Sequence, residues 1–224
     1  MEQEKKMNAA ESLELISSMI RSSRRDLARN SYRPFLIWGY TTVVVSIIEL
    51  ILHLVAEPTT SPALRLWIWW AIPVIGSVLM LIFRDRDNHT KSPLDINIGA
   101  VWGVLSFTLV PILSNIIIIS GRAGYVILPM VLVVMGAGSL ITGIMCKMKP
   151  IIYGGWASMI GSVAMSALSL WFIKSSEVAD VATRACLAEG YISGQMVIFI
   201  ISFVLSMILP GHYMKRMFNN EQEG

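Results

Sequence analysis

Charge is what this sequence has least of. Only 15% of its 224 residues are Asp, Glu, Lys or Arg, and 54% belong to the apolar set. An average globular chain is about a quarter charged. The mean hydropathy is +0.63. The scarcity is uneven, because long stretches carry no charge at all. That distribution excludes a disordered chain, a coiled coil and a soluble α/β enzyme. With only Cys146 and Cys186, a disulfide-stapled secreted scaffold is excluded too. Four chemical signatures are also missing: a phosphate-cradling glycine loop, an HExxH pair, the paired carboxylates of an intramembrane protease and a nucleophile elbow. The expectation is therefore no enzyme, no cofactor and no metal centre. No cleavable signal peptide is visible. The first apolar run follows a charged segment and lacks a small-residue cleavage site, so it reads as an anchor.

What the chain does have is apolar runs of membrane length. A helix needs about 20 apolar residues to cross a hydrocarbon core of roughly 30 Å. Charge-free stretches cover 66–83, 96–121, 123–146, 150–173 and 190–214, and a sixth, 34–56, is interrupted only by Glu49 and His53. In lipid the backbone must satisfy its own hydrogen bonds, and the alternating pattern of a barrel is absent, so these runs are read as helices. The expected fold is an all-α integral membrane protein with six spans, at about 35–55, 66–83, 98–119, 125–146, 151–173 and 191–210. A cytoplasmic segment 1–33 precedes the membrane domain 34–214, and a tail 215–224 follows it.

Orientation follows from the basic residues in the short loops. The N-terminal segment, the 84–95 loop, the 147–149 loop and the tail hold fourteen of the eighteen Lys and Arg residues; Arg65, Arg122, Lys174 and Arg184 are on the other side. This places both termini in the cytoplasm of a bacterial inner membrane. The charge excess of +3 then reflects topology, and no direct nucleic-acid partner is expected. Trp67, Trp69, Trp70, Trp171, Phe172 and Tyr191 are expected at the outer headgroup level. Cys146 and Cys186 fall on opposite sides and cannot pair.

Within 1–33, Asn8 and Glu11 resemble a capping box. Leu13, Ile16, Ile20 and Leu27 then fall near one helical face. Arg21, Arg24, Arg25 and Arg29 make this a basic amphipathic helix. It suits a bed of anionic lipid headgroups, at about 1 kcal/mol per basic residue, or a docking surface for a cytoplasmic regulatory protein. The two readings can coexist. Pro34 is expected at the first turn of the first span, and Pro150 at that of the fifth. The pairs Trp38-Gly39, Trp102-Gly103 and Gly155-Trp156 hint at three related hairpins, 34–84, 93–149 and 150–216. Residues 174–190 are read as an outer segment with a short interfacial helix.

Two features inside the spans could carry function. Gly154, Ser158, Ser162 and Ser166 recur every four residues, as do Gly99 with Gly103 and Gly190 with Gly194. Close helix packing is the simpler account, a polar pathway the alternative, and oligomer formation is open. Glu49 and His53 share a helix face. Glu49 is the one acid inside the six spans, about two-thirds of the way across. Three readings compete: a proton or cation site with His53, a structural hydrogen bond to Asn115, or a wet position near the outer interface. Pro73, Pro111 and Pro129, with Gly136 and Gly138, are expected to interrupt their helices.

Three stretches form a further set: Glu11 to Ile16 leading into Leu36-Ile37-Trp38-Gly39, Ile141 to Ile144 followed by Lys147-Met148-Lys149-Pro150 and Gly154-Gly155, and Leu209-Pro210-Gly211-His212. Together they resemble a group of small uncharacterised bacterial membrane proteins, often encoded beside a small winged-helix transcription regulator. The resemblance implies a sensory or regulatory role and supplies no site residues. The sequence thus carries two readings: a membrane sensor that engages a cytoplasmic partner through its N-terminal helix, and a small proton-coupled transporter or channel using Glu49 and His53.

Overall fold

The computed structural model describes residues 9–55, 68–83, 93–119 and 126–220, and among these the chain is helical, with no strand. The elements are α1 (Ala9–Val55), α2 (Ala71–Ile82), α3 (Pro93–Ile119), α4 (Ile127–Cys146), α5 (Lys149–Val178), α6 (Val181–Phe203), a π turn (Val204–Ile208) and α7 (Leu209–Asn220). Among the described residues four helices are long and apolar enough to cross a membrane, at Tyr32–Val55, Ile127–Cys146, Lys149–Val178 and Val181–Met217. Ala71–Ile82 and Ile96–Ile112 are shorter apolar segments. At 1.5 Å per residue α2 covers only about 18 Å.

The bundle is inverted relative to a soluble one. Val44, Ile51, Phe107, Val163 and Leu170 face outward, whereas Thr42, Ser46, Glu49, Ser139, Ser158, Gln195 and Ser202 are buried. Water does not tolerate so large an apolar exterior on a monomer, and lipid does. Exposed Tyr153 and Trp171 mark two levels on α5, eighteen residues or about 27 Å apart, close to the thickness of a hydrocarbon core.

Several expectations are corrected. Pro34 does not open a helix; it sits inside α1, which continues unbroken for 47 residues from Ala9. A proline at a first turn and one within a helix look alike in sequence. The helical pattern upstream, with no breaker before Pro34, decides for the second. Asn8 itself lies outside the described residues. Pro73 and Pro129 are each the third residue of their helices. The first four N–H groups have no intrahelical acceptor, so neither proline interrupts anything; Pro111 does lie inside α3. Gly136 and Gly138 leave α4 continuous. Residues 174–190 form no separate helix, because α5 runs on to Val178 and α6 begins at Val181, after a break at Ala179 and Asp180. Asp180 stands at the start of α6, where the Thr183 hydroxyl, ahead of nearby backbone amides, holds its carboxyl below the usual range.

Glycine sets where helices meet. A Cβ on Gly155 would lie 2.8 Å from the Leu140 nitrogen, and one on Gly143 2.8 Å from the Ile152 nitrogen, so α4 and α5 touch backbone to backbone. Their connection is correspondingly tight. Met148 N–H donates to the Gly143 carbonyl at 2.9 Å and Lys147 N–H to that of Ile144 at 3.1 Å, the hydrogen-bond pair of a Schellman motif. Lys147 takes the left-handed conformation this needs, with φ 52° and ψ 37°, and Pro150 then falls in the first turn of α5 as expected. A non-glycine residue pays about 1–2 kcal/mol for that conformation. Lys147→Gly is therefore expected to raise stability by about 0.5–1 kcal/mol, after the entropic cost of glycine. Thermal unfolding in detergent checks this as an increase in Tm of a few degrees.

The Trp-Gly pairs divide two to one. The Trp38 ring covers Gly76 of α2 and the Trp102 ring covers Gly138 of α4, each with a ring carbon within 3.0 Å of the absent Cβ. Trp156 instead faces outward. The helix pairs α1/α2, α3/α4 and α5/α6 all pack, and the closest seam is α4 with α5. The stripes divide too. Gly154, Ser158 and Ser162 are buried, whereas Ser166 is exposed and open space surrounds Gly99, Gly103 and Gly190.

Candidate functional site

Glu49 is the residue the sequence singles out, and α1 carries its side chain into the interior, 4% exposed. His53, one turn further along the same face, is half-buried, with Nε2 shielded and without a hydrogen bond among the described residues. The wet-interface reading of Glu49 is thereby corrected: α1 turns that face toward the bundle. The Asn115 side chain lies outside the described residues, as do those of Arg21, Arg24, Arg25 and Arg29, although the backbone of all five is helical. Trp67 also lies outside.

The polar interior extends well beyond Glu49. Toward the connection between α5 and α6, Gln195 Nε2 donates to Ser169 Oγ at 2.9 Å, and Ser169 Oγ and Tyr191 OH share a hydrogen bond of 3.0 Å. Phe172 stacks on Tyr191 at 4.6 Å. Tyr191 and Phe172 are thus core residues, 5% and 7% exposed, and not members of an outer belt. Trp69 is half-buried against the core. Its ring meets Phe199 edge-on at 5.9 Å, and Phe199 lies eight residues, about 12 Å, from Tyr191 along α6. Gln195 escaped the sequence reading altogether. The available signal was a single amide in the charge-free run 190–214; an amide is costly in lipid unless paired.

Further hydroxyls are buried as well. Ser46 and Ser202 donate to the carbonyls of Thr42 and Ile198 within their own helices, the back-bonding that short hydroxyl residues use in helices. Ser162 reaches across to the Pro129 carbonyl at 2.8 Å. Trp102 Nε1 donates to Thr142 Oγ1 at 3.1 Å. The interior thus holds a set of neutral polar groups and one carboxylate. Among the described residues no three His, Cys, Asp or Glu side chains gather to hold a metal ion. Cys146 is buried, Cys186 is exposed, and neither is in a disulfide among the described residues.

The opposite end of the bundle is basic and aromatic. An Arg33 guanidinium nitrogen donates to the Phe83 carbonyl at 3.2 Å. A cation at the C-terminus of α2 is favoured by the helix dipole. The same end holds the Lys147 turn and the start of α7, where Gly211 packs on Leu36 and Tyr40 OH meets His212 Nε2 at 2.7 Å. A groove between α1 and α2 is lined by Tyr32, Arg33, Leu36, Ile37, Ile82 and Phe83. Chemically, the molecule offers a buried carboxylate and imidazole on one helix, and a basic end reached by that same helix. No family model matches the sequence, and no curated protein or solved structure is similar to it.

Proposed function

We propose that this chain is a non-enzymatic, six-crossing protein of a bacterial cytoplasmic membrane, with both termini inside. In this reading it senses a membrane or envelope condition and passes it to a cytoplasmic regulatory protein through residues 8–33. One observation carries the reading: α1 is a single helix from Ala9 to Val55. It joins the basic segment holding Arg21, Arg24, Arg25 and Arg29 to the buried Glu49 in one helix, with Pro34 between them. A shift or rotation at membrane depth therefore reaches the cytoplasmic segment through continuous helix, with Pro34 the point where the two halves bend relative to each other. The meeting of Arg33, the end of α2, the Lys147 turn and α7 at one end supports a single cytoplasmic face. The same arginines bind anionic headgroups when no partner is docked. Deleting residues 1–33 in cells is expected to change transcript levels of genes under the partner regulator. An unchanged profile, with the shortened protein still in the membrane, contradicts the reading.

A second reading, proton-coupled transport or conduction, draws on the burial of Glu49 beside His53 and on the buried hydroxyls of the interior. It predicts that Glu49→Gln abolishes proton flux in proteoliposomes. Flux equal to that of the unsubstituted protein, or none in either, returns Glu49 to a structural role.

A further inference from the structure

The α6–α7 helix is interrupted by a π turn at Val204–Ile208, two residues before Pro210. The Leu209 N–H, which an α-helix would give to the Leu205 carbonyl, goes to Val204 instead. The next residue, Pro210, has no N–H to give. The Leu205 carbonyl thus loses both helical donors, and its oxygen stands 2.8 Å from where a Cβ on Gly154 would be. The Cα of Ser206 is at the same distance from that point.

Three buried serines stand on the helix segments that meet here. Ser139, Ser158 and Ser206 are no more than 1% exposed, and the Oγ of each is shielded with no hydrogen bond among the described residues. Their register brings them within about one helical turn, roughly 6 Å, of one another along the bundle. Leu132 of α4 reaches the Cβ position of Gly161 on α5, and the two helices run antiparallel. Seven residues on along α4 is Ser139, and seven back along α5 is Gly154, beside Ser206. Ser158 is one turn from Gly154, with its Cβ 3.2 Å from the absent Cβ of Gly136. A buried hydroxyl that forgoes even the carbonyl of its own preceding turn is costly to leave unpaired, and these helix segments carry three. π turns are concentrated at functional sites. Helix carbonyls released inside a membrane bundle are the oxygens that hold alkali cations.

We propose that the junction of α4, α5 and the π turn binds a sodium ion through the hydroxyls of Ser139, Ser158 and Ser206 and the carbonyl of Leu205. All four donors are neutral oxygens. With no carboxylate among them the set suits a monovalent ion and not calcium or magnesium, which recruit acidic ligands. The site is independent of the N-terminal reading, since none of its residues lies on α1.

The test uses the full chain in detergent. Thermal unfolding is followed from zero to 300 mM (~0.3 M) sodium chloride, with choline chloride holding ionic strength constant. The expected result is a saturable rise in Tm of a few degrees that Ser158→Ala removes and Ser166→Ala, an exposed hydroxyl on the same helix, retains. Radioactive sodium binding to the unsubstituted protein at about one ion per chain is the second measurement, and it stands whether or not Ser158→Ala folds. An equal response to choline, a sodium response that survives Ser158→Ala, or no bound sodium overturns the proposal. The last is also the outcome if only water fills the junction.

Discussion

Gly155→Leu is expected to eliminate folded protein, and Gly155→Ala to destabilise it by at least the 1–3 kcal/mol or so typical of overpacking. The reason lies in what the new side chain would meet. A Cβ at residue 155 falls 2.8 Å from the Leu140 nitrogen and 3.0 Å from the Gly136 carbonyl oxygen. Both are backbone atoms, which cannot rotate away as a side-chain tip can. Relief requires α4 and α5 to separate along the seam that the Lys147 turn holds shut. In lipid no hydrophobic gain opposes that separation, because helix association there rests on packing itself. Gly99→Ala is the internal control: it meets nothing within 4 Å and gains helix propensity of about 1 kcal/mol. Unfolding in mixed micelles should rank Gly99→Ala at or above the unsubstituted protein and Gly155→Ala well below it. Equal stability of the two variants contradicts the backbone seam.

Trp102→Ala is expected to cost about 3 kcal/mol and to loosen α3 specifically. Trp102 makes three contacts at once. Its ring lies over Gly138, its edge meets Phe35 of α1 at 6.1 Å, and its indole N–H donates to Thr142. Apart from these, α3 is attached to the described bundle chiefly through α4, and its Val104, Phe107 and Val110 face outward. Losing the indole opens a cavity over Gly138, next to the Leu105 side chain. Thr142, 1% exposed, then keeps a hydroxyl without its donor. Hydrogen exchange of the purified protein should show α3 losing protection while α4–α5 keeps theirs. Trp102→Phe should recover the ring packing and leave the Thr142 bond as the deficit. Uniform loss of protection across the bundle would show that Trp102 is no local pin.

The helical membrane character was legible because lipid forbids charge over long stretches, and a forbidden residue type is the easiest pattern to read. Glu49 stood out for the same reason, and α1 does bury it. The glycines were less legible. Gly99 and Gly103 have the four-residue spacing of an interface yet meet open space, while isolated Gly143 and Gly39 are in close contact with a neighbouring helix. Spacing records a helix face, and which face finds a neighbour depends on the whole bundle. Pro34 misled because its local chemistry is compatible with two positions in a helix. The π turn left no local trace beyond Pro210; it also needs Gly154 opposite, fifty-six residues away. Gln195 was hidden in plain sight, since a search for charges passes over an amide.

The central claim is that α1 presents its N-terminal half to a soluble partner while its other half is buried in the bundle. The most direct measurement is cross-linked capture from native membranes, comparing the full chain with one lacking residues 1–33. A soluble regulatory protein captured by the full chain and lost with the deletion is the predicted result. Capture of the same proteins by both chains, or of no soluble protein by either, would contradict it.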